Sequence, residues 1–471
     1  MTTRTYPNVL RSCPSVLGLV LSAASLPLAA QNVHTVDDSG GADFLTIEQA
    51  IFAASDGDLI LVHEGAYVGC RISGKSLTVV AADGPGTVEV QNFFLFNPTG
   101  TIAVDSLAAD QQVILRGLRT NTAPFTENEV AAYVVNCEGP VLFEDCELRN
   151  TSGVALDVFN ASVTVQRSVI DAGGSQYDAF INEYLSRPGI EADDATVFLH
   201  DCDVRGSVGP DAQQQPFGPV SPPGPGGSAI FARFGSRVFV FGSTLTGGDG
   251  GSGTATFCFD GKSGGNGITT QATSLVRLRD TTVEAGVAGV GGPGCGLGDG
   301  LDGVPLFGNP DTFEMLPGLS YPFSISSPVR EGETVLVTYS GEPGDVAFMA
   351  ISESLRPGFY LPARSSALHL GPFTSVVMLD PVPPSGTRTL SIPIPELGPG
   401  IDFLAFHCQI ALVQGGGLNL SGPTSVTYLD QSFCSDGPLR PAATPGEEDR
   451  EPERTLRNRS PTIHTPTVES T

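Results

Sequence analysis

The stretch that decides the fold is "VTVQRSVIDAG", residues 163–173, because the chain repeats it with small changes. Residues 141–150 read "VLFEDCELRN", 197–206 "VFLHDCDVRG", 238–247 "VFVFGSTLTG" and 276–285 "VRLRDTTVEA". Apolar residues at every second position predict a strand, and the closing Asn, Gly or Ala a turn. A second short run precedes each phrase: "AAYVV" (131–135), "GVALDV" (153–158), "GIEAD" (189–193), "SAIFARF" (228–234) and "GITTQA" (267–272). Phe143, Val165, Leu199, Val240 and Leu278 hold the same place in the phrase and are 22, 34, 41 and 38 residues apart. The shortest interval suits one coil of a parallel β-helix, whose rungs stack ~4.8 Å apart. The longer ones read as a coil plus an insertion.

The stack predicts which side chains meet. Val163, Val165, Ile170 and Ala172 face the interior, and Cys146, Ser168, Cys202, Ser243 and Thr281 make one column of small residues at a corner. Cys146 and Cys202 lie two rungs, ~10 Å, apart, too far for a disulfide, and read as buried thiols. "FLTIEQAIFAAS" (44–55) begins with Thr46 and Gln49 at capping-box spacing. Its Ile47, Ala50, Ile51 and Ala54 make one apolar helical face, suited to cover the first rung. The expected fold class is therefore all-β: a right-handed parallel β-helix over 31–310 with an N-terminal amphipathic cap. Short strands between Gly/Pro turns over 318–431 read as a small β-sandwich. Residues 437–471 are polar, Pro-rich and charged, the composition of a disordered tail.

Composition bounds the partners. The chain has 51 acidic against 24 basic residues, a net charge of −27, and no Trp. That surface repels phosphate backbones, so nucleic acid is excluded as an expected partner. Arg4 and Arg11 ahead of "VLGLVLSAASLPLAA" (16–30) match a secretory signal peptide over 1–30, and no later stretch is long and apolar enough to span a bilayer. The expected location is secreted: extracellular, cell-surface or periplasmic. Cys13 leaves with the signal, and eight cysteines remain in an oxidising compartment. Cys258 with Cys295 and Cys408 with Cys434 are the expected disulfides.

"DDSGGADFLTIEQAIFAASDGDLILVHEGAYVG" (37–69) resembles the opening of right-handed β-helix proteins of the pectin-lyase-like group, pectin methylesterases included. With the rungs, the likeness covers residues 32–310. It implies the fold and an extracellular carbohydrate context. The catalytic motifs of the group are missing: Gly65-Ala66-Tyr67-Val68-Gly69 lacks the Glu that ends the esterase motif, and with no Trp there is no Arg-Pro-Trp. Asp193-Asp194 is similar to the Asp pair of polygalacturonases, but their Asn-Thr-Asp, Gly-His-Gly and Arg-Ile-Lys segments do not occur.

Insertions 174–188, 208–227 and 249–265 fall at one point of the coil, so they are expected to wall one strand face. On that face the outward residues of the leading strands are expected to line up as Ala155/Glu191/Phe231/Thr269 and Asp157/Asp193/Arg233/Gln271. Asp157 and Asp193 then sit ~5 Å apart at the backbone. Such a pair could share a proton, hold Ca²⁺ or serve a glycosidase, with Arg233 steadying an anion. Glu191, Asp194, Tyr177 and Tyr184 are further ligand-binding candidates, although Tyr177, Phe180, Ile181 and Tyr184 also carry the spacing of a helix packed on the coil. "GGDGGSGTATFCFDGKSGGNG" (247–267) reads as a flexible insertion pinned by a disulfide. Three functions fit: a polysaccharide- or ligand-binding protein without catalysis, a polysaccharide lyase or glycoside hydrolase, and a structural or adhesive surface protein.

Overall fold

The computed structural model describes residues 31–92, 100–122, 130–151, 153–178, 183–214, 220–271, 273–414 and 417–433. The leader and tail segments and Cys434 lie outside them. Among the described residues no helix is long and apolar enough to cross a membrane.

Each rung has a leading strand, the phrase strand and a short third strand, and each stacks in parallel on its counterpart in the next rung. Leading and phrase strands belong to a 16-stranded sheet, which bends between them so that Ala132–Glu144 and Leu156–Gln166 run through both. The third strands form an 8-stranded sheet. The register joins Phe143 to Val165, Val165 to Leu199, Leu199 to Val240 and Val240 to Leu278. All five lie in one hydrophobic cluster that runs the length of the stack. Burying each such side chain contributes about 1.5–3 kcal/mol. The chain is thus an all-β parallel β-helix.

Both corners of the coil need a left-handed residue. Asp145, Arg167, Asp201 and Asp280 (φ +46° to +55°) follow the phrase strand, with Gly117 and Gly242 taking the same place in other rungs. Asn136, Asn160 and Asp194 do this after the leading strand. Asn and Asp tolerate this conformation better than other side chains, which accounts for their recurrence. Inside the corner, Ser168 Oγ accepts from the Cys146 amide at 3.0 Å and donates to the Gln166 carbonyl at 2.7 Å. Ser243 does the same for Cys202 one step on. A seven-residue helix, Ile47–Ala53, starts at Thr46, whose hydroxyl accepts from the Gln49 amide. Ile47, Ala50 and Ile51 are buried in the coil's cluster, and Lys75 Nζ donates to the carbonyls of Ile51, Phe52 and Ala54 at the helix end.

The Gly-rich insertions are ordered, contrary to the flexible reading. "GGDGGSG" (247–253), "GKSGGNG" (261–267), "GVAGVGG" (286–292) and "GDGLDG" (298–303) run side by side without helix or strand, hydrogen-bonded to one another. The Gly248 amide donates to the Gly227 carbonyl, Gly265 to Gly248, Gly286 to Gly265 and Gly303 to Gly286, at 2.7–3.0 Å. A Cβ on Gly265 or Gly286 would lie 1.9 Å from the carbonyl oxygen of the neighbouring segment. Glycine at near-regular steps of three is what packed polyproline-II segments require. Amides that miss a carbonyl find side chains: Asp249 takes Val287 N, Asp302 takes Ala288 N and Asn266 takes Val304 N. The Cys258–Cys295 disulfide joins the turn between the first two of these segments to the turn between the last two.

Beyond the coil, Phe323–Ile325, Thr334–Ser340 and Thr387–Pro393 form a three-stranded sheet. A five-stranded sheet built on Val346–Ser352, Phe403–Gln414 and Gly417–Leu429 shares its core. Cys408 is a buried thiol within that core, and Cys434, its expected partner, lies outside the described residues. These sheets, with the hairpin Leu355–Leu361/Ser366–Leu370, cover the outer face of the phrase strands. Thr164 and Phe198, outward by strand parity, are consequently buried. Glu144, with no exposure, accepts from Arg167 Nη2 at 2.6 Å and from the Ser425 amide at 2.9 Å. Arg116 reaches the Ile325 carbonyl at 2.8 Å.

Candidate functional site

The leading strands leave their outer face to solvent, and their register differs from the expected one by two residues. Asp157 pairs with Glu191, and Phe159 with Asp193. Glu191 then meets Phe231, and Asp193 meets Arg233. The outward rows are therefore Tyr133/Asp157/Glu191/Phe231/Thr269 and Val135/Phe159/Asp193/Arg233. The expected Asp157–Asp193 pairing fails because the interior sets the register: Leu156 and Val158 must lie over Ile190 and Ala192. The sequence carried the signal, since Leu156 and Ile190 each stand seven residues before the phrase valines Val163 and Val197. Counting back from the phrase valines also brings Phe159 opposite Asp193, whereas Tyr133 comes opposite Asp157 only through a register shift between Cys137 and Val141.

Arg233 organises the charges. Its Nε donates to Asp193 Oδ1 at 2.7 Å, and its Nη2 to Asp193 Oδ2 at 2.5 Å and to Glu191. The guanidinium lies 5.0 Å from the Phe231 ring centre and 5.5 Å from that of Phe234. Asp193 is buried, whereas Phe159 and Phe234 are 43% and 62% exposed. Asp157 makes no hydrogen bond through its side chain with any described residue. Burial, then the charges of Glu191 and Asp193, push its carboxyl up to about 7, against the opposing pull of Arg233. Burial also raises Glu191, with Arg233 opposing and Asp193 adding to the rise. Burial and Asp157 raise the Tyr133 hydroxyl. One carboxyl is therefore pushed up towards neutral pH while the next rung's carboxylate is held by an arginine.

The remaining candidates divide. Asp194 is exposed at the corner, with φ +48°, outside this group. Tyr184 lies on Glu183–Leu185, which pairs antiparallel with Gln176–Asp178, so this insertion is a hairpin where its spacing predicted a helix. The Tyr184 ring is buried against Gly224 and its hydroxyl accepts from Gln213 at 2.7 Å, so it offers no stacking surface. The Tyr177 side chain lies outside the described residues. Among the described residues no group of three or more His, Cys, Asp or Glu side chains is arranged to hold a metal ion. Where a cation would bridge Glu191 and Asp193, the Arg233 guanidinium already stands. The third-strand face carries a groove of about 550 Å³ lined by Arg119, Asn121, Glu147, Arg149 and Asp171. Its arginines are committed to Glu89, Glu147 and Asp171.

No protein-family model and no curated protein matches the chain. Among solved structures it is similar to the full-length tailspike protein 2 of the Escherichia coli O157:H7 bacteriophage CAB120, at 10% identity and TM-score 0.28, over 84% of this chain and 67% of that one. It is also similar to the tailspike protein gp49 of the Acinetobacter baumannii bacteriophage Fri1, a capsular polysaccharide depolymerase, at 9% identity and TM-score 0.18, over 85% and 84%. At such scores the likeness decides nothing about activity. The class, a parallel β-helix with its phrase-strand face covered and its leading-strand face open, rests on the rungs themselves.

Proposed function

We propose that the leading-strand face binds an extracellular polysaccharide, in a secreted protein of the pectin-lyase-like kind. The observation that carries this reading is Asp157: a half-buried carboxyl without a hydrogen-bond partner among the described residues, in a row with Glu191 and on one strand face with the exposed ring of Phe159. Sugars present hydroxyls to bridge such carboxyls and C–H faces to lie on such rings, and a few convergent polar groups among aromatic ones are the usual lining of a ligand site. A glycan array with the intact protein tests it. Asp157→Asn with Phe159→Ala should lower binding by roughly tenfold or more, a loss of about 1.4 kcal/mol. Unchanged binding in that double variant, or no glycan bound by the wild type, sinks the reading.

The same carboxyl supports a second reading, a glycoside hydrolase. A general acid works best with a pKa near the working pH, and Glu191 supplies a second carboxylate on the next rung, as the two-carboxylate mechanism requires. Asp157 would protonate the leaving oxygen while Glu191 attacks the anomeric carbon, although the clamp from Arg233 makes Glu191 a weaker nucleophile. Reducing-sugar release that disappears in Asp157→Asn favours this reading over binding alone.

A further inference from the structure

A cleft of about 370 Å³ opens on another side of the coil, between the phrase strands Thr196–His200, Arg237–Phe241 and Leu275–Arg279 and the hairpin Leu355–Leu361/Ser366–Leu370. Its floor is aromatic. Phe198 and Phe239 stack at 4.7 Å, nearly parallel, and Tyr360 continues the stack at 5.0 Å from Phe239. Gly358 lets the hairpin come this close, since a Cβ there would lie 2.3 Å from the Phe198 ring. Phe359, 57% exposed, stands at the rim.

Two arginines from adjacent rungs flank the floor. Arg277 lies 4.6 Å from the Tyr360 ring centre and pairs with Glu314 at 2.6 Å. Arg237, an exposed residue, makes no side-chain hydrogen bond and no ion pair with any described residue. In a chain where acids outnumber bases 51 to 24, an arginine beside another cation and without a carboxylate leaves one positive charge uncompensated in this cleft. A planar guanidinium takes a carboxylate through two parallel hydrogen bonds and also stacks on flat rings.

We infer that this cleft is a binding site for a small aromatic carboxylate, its ring lying against the exposed Phe359 at the rim and its carboxylate on Arg237. The volume is in the range of small-molecule sites, and flat apolar lining with one convergent charge selects a flat apolar body with one opposite charge. The site shares no residue with Asp157 and Glu191 and does not depend on the polysaccharide reading.

Isothermal titration of the full chain with sodium cinnamate tests the inference, with cinnamamide and sodium glucuronate as controls. Cinnamate should bind the wild type, and cinnamamide, which lacks the charge, should bind roughly tenfold or more weakly. Glucuronate, which lacks the flat ring, should be weaker still. Arg237→Gln and Phe359→Ala change exposed side chains, so both should keep the wild-type melting temperature while lowering cinnamate affinity roughly tenfold. No heat from cinnamate at millimolar concentration overturns the site. Affinity unchanged in Arg237→Gln overturns the role of the charge, and glucuronate binding as well as cinnamate overturns the aromatic class. Asp157→Asn with Phe159→Ala should leave cinnamate binding intact, so the two readings fail separately.

Discussion

Ser168 occupies a corner where its hydroxyl does two things at once, accepting from the Cys146 amide and donating to the Gln166 carbonyl. Removing it strands a buried N–H. Ser168→Ala should therefore cost about 1–3 kcal/mol, read as a shift in the urea unfolding midpoint. Ser168→Cys should cost less, because Cys146 and Cys202 fill the same place on either side and donate from Sγ to nearby carbonyls. Those two thiols are legible in the sequence as core residues, and burial pushes both up to about 12. Asp193 and Arg233 were also read correctly as neighbours on successive rungs. Asp157 was expected opposite Asp193, whereas the apolar interior, with Leu156 over Ile190, sets it opposite Glu191.

Among the elements, the glycine-rich segments depend most on backbone alone. Gly265 donates to the Gly248 carbonyl on one side and accepts from Gly286 on the other. Alanine there places a methyl 1.9 Å from the Gly227 oxygen, which no rotamer change relieves. Gly265→Ala should cost about 1–3 kcal/mol as an overpacking change, while Ser263→Ala, at an exposed position two residues earlier, should stay within about 0.5 kcal/mol. Thermal melts of the two variants decide it. The sequence did announce these segments: glycine recurs at steps of three at 247, 250 and 253 and again at 261, 264 and 267. It reads as a flexible loop because a single polyproline-II segment has no internal hydrogen bonds, and only its neighbours make it rigid.

Over the whole molecule, the C-terminal sheets lie on the phrase-strand face through a buried polar seam. His200 Nε2 meets His369 Nε2 at 3.0 Å, and His407 Nδ1 meets Ser425 Oγ at 2.8 Å. Burial holds His200 and His407 down at about 3, far below the ordinary value near 6.5. Between these values the unfolded chain binds more protons than the folded one, so stability falls as pH drops from about 6.5 towards 3. Melting temperatures across that range should fall, and His407→Gln should flatten the dependence. An unchanged slope in that variant assigns the acid sensitivity to other groups.

The sequence by itself determined the rungs. Period-two alternation, the recurrent phrase and its 22-residue shortest spacing are local properties, and stacking like on like repeats one local solution along the axis. The acid-rich composition and the corner residues were equally open to reading. The tertiary structure alone decided which faces of the coil meet water. Alternation marks Phe198 and His200 as outward, and nothing within the phrase shows that sheets more than a hundred residues further along will cover them. It alone also decided that the Gly-rich insertions lock together. Each of these outcomes depends on contacts between distant segments, and such contacts leave no period in the chain.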